Sequence, residues 1–171
     1  GETTEDISNL AGGTYSVAVT DAENYKTYSN EITINEPDEI LVEIASTTIP
    51  EIGESNGEID ISVTGGTQPY VYQWSNGSST EDLSNIPLGG YTFTVTDAND
   101  CSESLYVPLI NTEYTTKDVS CYGMSDGEID FTIEGGTPPY SYQWSNGETT
   151  EDISNLAGGT YSVAVTDAEN Y

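Results

Sequence analysis

An all-β protein made of small sandwiches in tandem is what the sequence predicts, and three observations predict it. The 25 residues Gly147–Tyr171, GETTEDISNLAGGTYSVAVTDAENY, repeat Gly1–Tyr25 letter for letter. A diverged copy, GSSTEDLSNIPLGGYTFTVTDANDC, lies at Gly77–Cys101, so the offsets are 77 − 1 = 76 and 147 − 77 = 70 residues. Self-similarity at such a period marks a repeat protein. Apolar residues alternate with polar ones at period two, the pattern of half-buried strands. Turn signals recur every ~8–12 residues, as in sandwiches, and no 3.6-residue apolar stripe appears.

Taken in order, Gly1–Asn24 reads as a polar segment, a Leu10-Ala11-Gly12-Gly13 turn and a strand in which Tyr15, Val17 and Val19 face one way. Paired glycines permit the positive φ of a tight turn. A second strand is predicted around Tyr28–Asn35, with Ile32 and Ile34 on one face, and Glu36-Pro37-Asp38 reads as a short, stiff linker. One complete unit follows. Its strands are marked by Ile40, Val42 and Ile44; by Ile59, Ile61 and Val63; by Tyr70, Tyr72 and Trp74; by Thr80–Ile86; by Tyr91, Phe93 and Val95; and by Leu105–Leu109. Gly65-Gly66-Thr67-Gln68-Pro69 and Asn76-Gly77 supply turns between them. From Ile110 the pattern restarts, with Ile129, Phe131 and Ile133 and then Tyr140, Tyr142 and Trp144 at an offset of 70.

These units divide the chain into 1–37, the back of one repeat; 38–109, a whole repeat; and 110–171, a repeat lacking its last strand. The 171 residues therefore read as a window on a longer periodic chain, with any export signal outside it. The segment that 110–171 lacks is what Lys26–Asn35 would supply, and the strand of one copy is expected to complete another by β-strand addition.

Charge narrows the function. There are 30 acidic residues against two lysines, no histidine, and a net charge of −28. Nucleic acid is excluded as a partner for want of a cationic footprint, and so is an anionic membrane surface. No apolar run reaches the ~20 residues of a spanning helix. Absence of histidine removes histidine-dependent nucleophiles and zinc sites. The adjacent pairs Glu81-Asp82 and Glu151-Asp152 sit where successive side chains diverge, and they recur in every unit, which fits structure better than catalysis. No enzyme activity is expected. Lys117 reads as an exposed lysine.

The stretch SDGEIDFTIEGGTPPYSYQWSNGETTEDISNLAGGTYSVAVTDAENY resembles the SprB-type repeat of bacterial gliding-motility adhesins. The matching pieces are SDG before a strand, GGTPPY-x-Y-x-W-SNG, TTEDISNLAGGTY and the closing VTDA. NLAGGTYSVAVTD is also similar to the strand–turn–strand of fibronectin III and related immunoglobulin-like domains, where a tyrosine after the turn packs at a corner. The resemblance implies tandem immunoglobulin-like β-sandwich repeats in large, acidic, secreted surface proteins of gliding bacteria, exported by the type IX system and carried as adhesive filaments. In that family a cysteine before SDG pairs with one after VTDA. Here Tyr171 stands where Cys121 would find its partner, and Glu51 where Cys101 would. The resemblance thus sets the two cysteines about one domain apart, beyond the ~7 Å reach of a disulfide, and two free thiols are expected.

Asp97, Asn99 and Asp100 after one strand, and Asp126 before another, offer hard oxygen ligands suited to Ca²⁺. In the resembled arrangement such loops share one end of a domain. Asp21 and Asp167 repeat the position of Asp97, and Glu36 and Asp38 could add ligands at the linker. No calcium-loop motif accompanies these residues, and Asx side chains at turns commonly cap backbone groups. Trp74 and Trp144 read as core residues; as an alternative, the exposed tyrosines of repeated sandwiches could bind surface polysaccharide. The leading expectation is a structural stalk of a cell-surface adhesin, with neighbouring repeats as its partners.

Overall fold

The computed structural model describes residues 6–171; the start of the polar segment expected over Gly1–Asn24 lies outside them. Strands and turns make up the described residues, with no helix among them. The chain forms two compact units, one up to Glu39 and one over Ile40–Tyr171.

The first unit is an interrupted hairpin. Strands β1 (Gly13–Tyr15) and β2 (Ala18–Thr20) pair antiparallel with β4 (Ile32–Ile34) and β3 (Lys26–Tyr28) respectively. The continuous strands expected through Tyr15–Val19 and Tyr28–Asn35 are thus each broken in two. The cause lies at Ser29, whose hydroxyl accepts from Val17 N at 2.9 Å while its own N–H donates to Val17 O at 2.8 Å. A side chain has entered the ladder there and bends it. Val17, Val19 and Ile32 are each more than half exposed. Among the described residues of this unit, β1–β4 and β2–β3 form two-stranded sheets.

In the second unit, β5 (Leu41–Thr48), β6 (Gly57–Thr64) and β8 (Leu83–Ile86) form one sheet. Strands β7 (Val71–Trp74), β9 (Gly89–Thr96) and the first half of β10 (Ser102–Lys117) form the facing one. Ile59, Ile61, Trp74, Phe93, Val95, Val107 and Leu109 from both sheets share one buried cluster, so this is a sandwich, consistent with the immunoglobulin-like arrangement. The second half of β10 pairs with β11 (Gly127–Gly135), which pairs with β13 (Ile153–Leu156). Facing them are β12 (Ser141–Trp144) and β14 (Val163–Thr166), around Phe131, Trp144, Ile153 and Leu156.

Each sandwich closes around its tryptophan, Trp74 at 1% and Trp144 at 4% exposure. Burial of so large a side chain stabilises by roughly 3 kcal/mol or more. The indole N–H is not wasted: Trp74 Nε1 donates to Thr80 O at 3.0 Å and Trp144 Nε1 to Thr150 O at 2.8 Å. That bond, with Thr80 Oγ1 donating to Asp82 O, turns 80–82 into a bend. The strand expected over Thr80–Ile86 therefore begins only at Leu83. Ile44, expected inward, pairs with the buried Ile61 yet is 45% exposed, and the register slips just beyond it, between Ile44 and Ser46. Asp82 and Asp152 do not act as a pair with their glutamate neighbours; each caps a strand N–H, of Ile61 and Phe131, at 2.9 Å.

The two cores differ by an exchange of sizes. Ile61 faces Phe93 across the first, whereas Phe131 and Val163 hold the matching positions in the second. The bulky ring has moved to the other sheet and the summed volume is nearly kept, the kind of change a core tolerates. Tyr15, Tyr91 and Tyr161 donate to the carbonyl four residues upstream, at 2.7, 2.8 and 3.0 Å, which is the tyrosine corner in all three copies.

Candidate functional site

The joint between the sandwiches has no linker. Between Leu105 and Ile110 the sequence holds no glycine, asparagine or paired prolines to turn the chain, and β10 runs through as one strand of 16 residues. The junction expected at Leu109/Ile110 falls inside it. Successive side chains on a strand point to opposite faces: Leu109 enters the first core and Ile110 lines the second. One strand therefore serves two cores, one on each face. Pro108 fits because β10 is an edge strand there, paired only with β9.

Side chains from both sandwiches lock this crossing. Tyr106 donates to Asp167 Oδ2 at 2.8 Å and lies 2.9 Å from Thr137 Oγ1. Asn111 Nδ2 donates to Pro50 O at 3.1 Å, and Gly53 N to Glu134 Oε2 at 3.2 Å. Gly135, at φ 98°, passes so near β10 that a Cβ would come 1.9 Å from Leu109 O. Only glycine satisfies both demands. A Cβ on Gly90 would meet Thr137 Oγ1 at 2.4 Å.

Asp167 is 6% exposed, and both its carboxylate oxygens are engaged. Burial pushes its pKa up, but N–H groups of Tyr171, Thr137 and Glu169 and the Tyr106 hydroxyl outweigh that and hold it below 3.8. Asp97 repeats this: burial opposes, and donors from Thr67, Asn99 and Cys101 prevail, at 2.8–3.0 Å. Asp21 accepts from Glu23 N and Tyr25 N at 2.9 Å. Asn99 bonds Thr67 Oγ1, and Asp100 takes the positive-φ place in the same turn. Asp126 accepts from Ser120 N, the main reason its pKa is lowered.

Asp97 and Asp126, suggested together for calcium, are thus not gathered at one place. Asp97 lies next to the Thr96–Ser102 pair and Asp126 next to the Lys117–Glu128 pair, at opposite ends of β10, on the order of 50 Å of extended strand. Among the described residues no group of three or more acidic, cysteine or histidine side chains is arranged to hold a metal. Cys101 and Cys121, free and exposed, flank the same two ends. Lys117 Nζ pairs with Glu128 Oε1 at 2.8 Å.

A second feature is the open side of the second sandwich. Among the described residues β14 pairs with β12 alone. Beside it runs a groove of ≈ 430 Å³ lined by Ile110, Phe131, Ile133, Val163 and Val165, continuing into one of ≈ 410 Å³ over Trp144 and Tyr161. In the first sandwich that place is filled by Val107 and Leu109 of β10.

Sequence reading missed Tyr106, Thr137, Asn111 and Glu134 as joint residues. The available signal was the absence of turn residues at 105–110, together with a junction six residues shorter than the one preceding Ile40.

A family model described as the SprB repeat matches residues 52–79 and 113–149, in agreement with the resemblance drawn from the sequence. It is a structural, non-enzymatic repeat of the gliding-motility adhesin type, found in cell-surface proteins. Comparison with curated proteins finds no match.

Proposed function

We propose that this chain is a stretch of the stalk or filament of a large secreted bacterial adhesin, serving gliding motility or surface attachment. The observation that carries this reading is β10: one uninterrupted strand belongs to two sandwiches, so tension along the chain runs through its ladders to β9 and β11 rather than through a loose linker. The matched repeat family supports the surface location. The charge of −28 suits it as well, because like charges on neighbouring repeats repel within the ~8 Å screening length. Repetition lengthens such a stalk without a new folding problem.

The preceding junction is built differently. Residues 35–40 carry no strand. Antibody against this chain should label filaments on intact cells of the source bacterium, and protease added outside should remove the label; labelling only after lysis would contradict the reading. A glycan array tests the polysaccharide-binding alternative. A calcium role, suggested by the acidic loops, predicts a raised melting midpoint in millimolar Ca²⁺, and an unchanged midpoint contradicts it.

A further inference from the structure

Charge is not spread evenly over the two sandwiches. Residues paired across a ladder lie on the same face of a sheet, and successive residues alternate between faces. With Ile59 and Ile61 in the core, Glu58, Asp60 and, opposite Ser62, Glu43 lie on the outer face of β5 and β6. With Phe93 and Val95 in the core, the outer face of β7, β9 and the first half of β10 carries Gln73, Thr92, Thr94, Thr96, Ser102 and Ser104. That face holds no charge, on a chain of net charge −28. Glu103 of β10 pairs with the buried Val95 and so lies on the other face. The second sandwich repeats the division. Glu113, Glu128, Asp130 and Glu134 lie on the outer face of β10 and β11, whereas Ser141, Gln143, Ala164 and Thr166 lie on that of β12 and β14.

We propose that the charge-free face of the first sandwich is a contact surface for a second copy of this chain, the two faces meeting about a two-fold axis. Carboxylates accept hydrogen bonds but do not donate them, so two acidic faces repel and cannot bond to each other. Hydroxyls and side-chain amides do both, so a face built from them is complementary to itself, as an isologous contact requires. Thr94 Oγ1 and Ser104 Oγ lie 2.9 Å apart within it and orient one another. Val71, paired with Thr96 and 66% exposed, adds apolar area to the same face. Three strands ~4.8 Å apart, with about five residues along each, make a face of about 250 Å². A stable interface needs ~800 Å² per partner. Contact between single faces is therefore weak, and a series of repeats multiplies it through effective concentration. Such contact goes beyond the stalk reading, because it forms between isolated chains whether or not they belong to a stalk.

Paramagnetic broadening between two copies of the full chain, mixed at millimolar concentration, tests this. One copy carries a nitroxide on Ser102→Cys, at the rim of the face, in a Cys101→Ser, Cys121→Ser background; the other is isotope-labelled and has the same background without the nitroxide. Amides of β7, β9 and residues 102–106 of the isotope-labelled copy should lose intensity, whereas a nitroxide on Asp60→Cys should leave them unchanged. The loss should deepen with added salt, which screens the repulsion between acidic copies. Ser104→Glu in both copies sets carboxylates face to face at an exposed position and should abolish the loss. Ser62→Glu adds the same charge to the acidic face and should not. Absence of broadening from the Ser102 position overturns the proposal, as does equal broadening from both positions, broadening that salt weakens, or broadening that survives Ser104→Glu. A neutral polysaccharide is the competing occupant: dextran that shifts these amides, with no broadening between copies, also overturns it.

Discussion

The sandwich over residues 40–109 and the one over 110–171 are built from nearly the same letters, yet their interiors differ. Phe93 and Val95 are wholly buried, whereas their counterparts Val163 and Val165 are only half-buried, and Tyr161 is more open than Tyr91. The strand pattern, the tryptophan, its indole bond and the tyrosine corner are common to both. What separates them is one strand: β10 closes the first, and no described strand closes the second. A repeat of this size has so few large residues that its core is complete only when its last strand is in place.

The comparison can be broken most forcefully at the tryptophans. Trp74→Ala and Trp144→Ala should each cost ~3–5 kcal/mol, with Trp74 at the upper end because its closed core cannot collapse into the space. Urea denaturation of the two variants measures this, and equal costs would mean that the open groove affords no relaxation. Next comes the crossing between the sandwiches. Gly135→Ala puts a Cβ against Leu109 O at a positive φ, and should cost about 2–4 kcal/mol. Its denaturation should also lose cooperativity between the sandwiches, where the same change at Gly147, with open space around it, pays only for backbone strain. Tyr106→Phe removes the donor to Asp167 and should cost about 1 kcal/mol, with a matching downward shift of the denaturation midpoint.

The smallest expected effect depends on pH. The folded-state pKa of Asp97 is lowered from 3.8, so its contribution is present above the unfolded value and lost as pH falls through the folded one. The stability difference between the wild type and Asp97→Asn should therefore be full at pH 7 and shrink below about pH 4. Denaturation curves from neutral to acid pH check this, and a difference that grows on acidification would show that the caps work otherwise.

Much of this was legible beforehand. Period-two alternation located the core strands, because burial on one face of a sheet leaves that imprint directly. Three things were not legible. Ser29 breaks a ladder through its hydroxyl, which alternation cannot register. Ile44 keeps its place in the ladder opposite Ile61 but stays part-exposed, next to a one-residue slip. For Asp97 and Asp167 the sequence left calcium ligation and turn capping both open, since it shows which carboxylates exist but not which backbone N–H groups fold back onto them. The joint escaped for a related reason: Tyr106 and Asp167 are 61 residues apart, and nothing local in either announces the other.

Hydrogen exchange read residue by residue tests the central claim most directly. In dilute, single-chain solution, amides of β9 turned away from β7 should be protected by β10, while those of β14 turned away from β12 should exchange at least ~100-fold faster, a difference of about 2.7 kcal/mol in opening. Equal protection of the two strands would contradict the account, because it would mean that β14 is already closed.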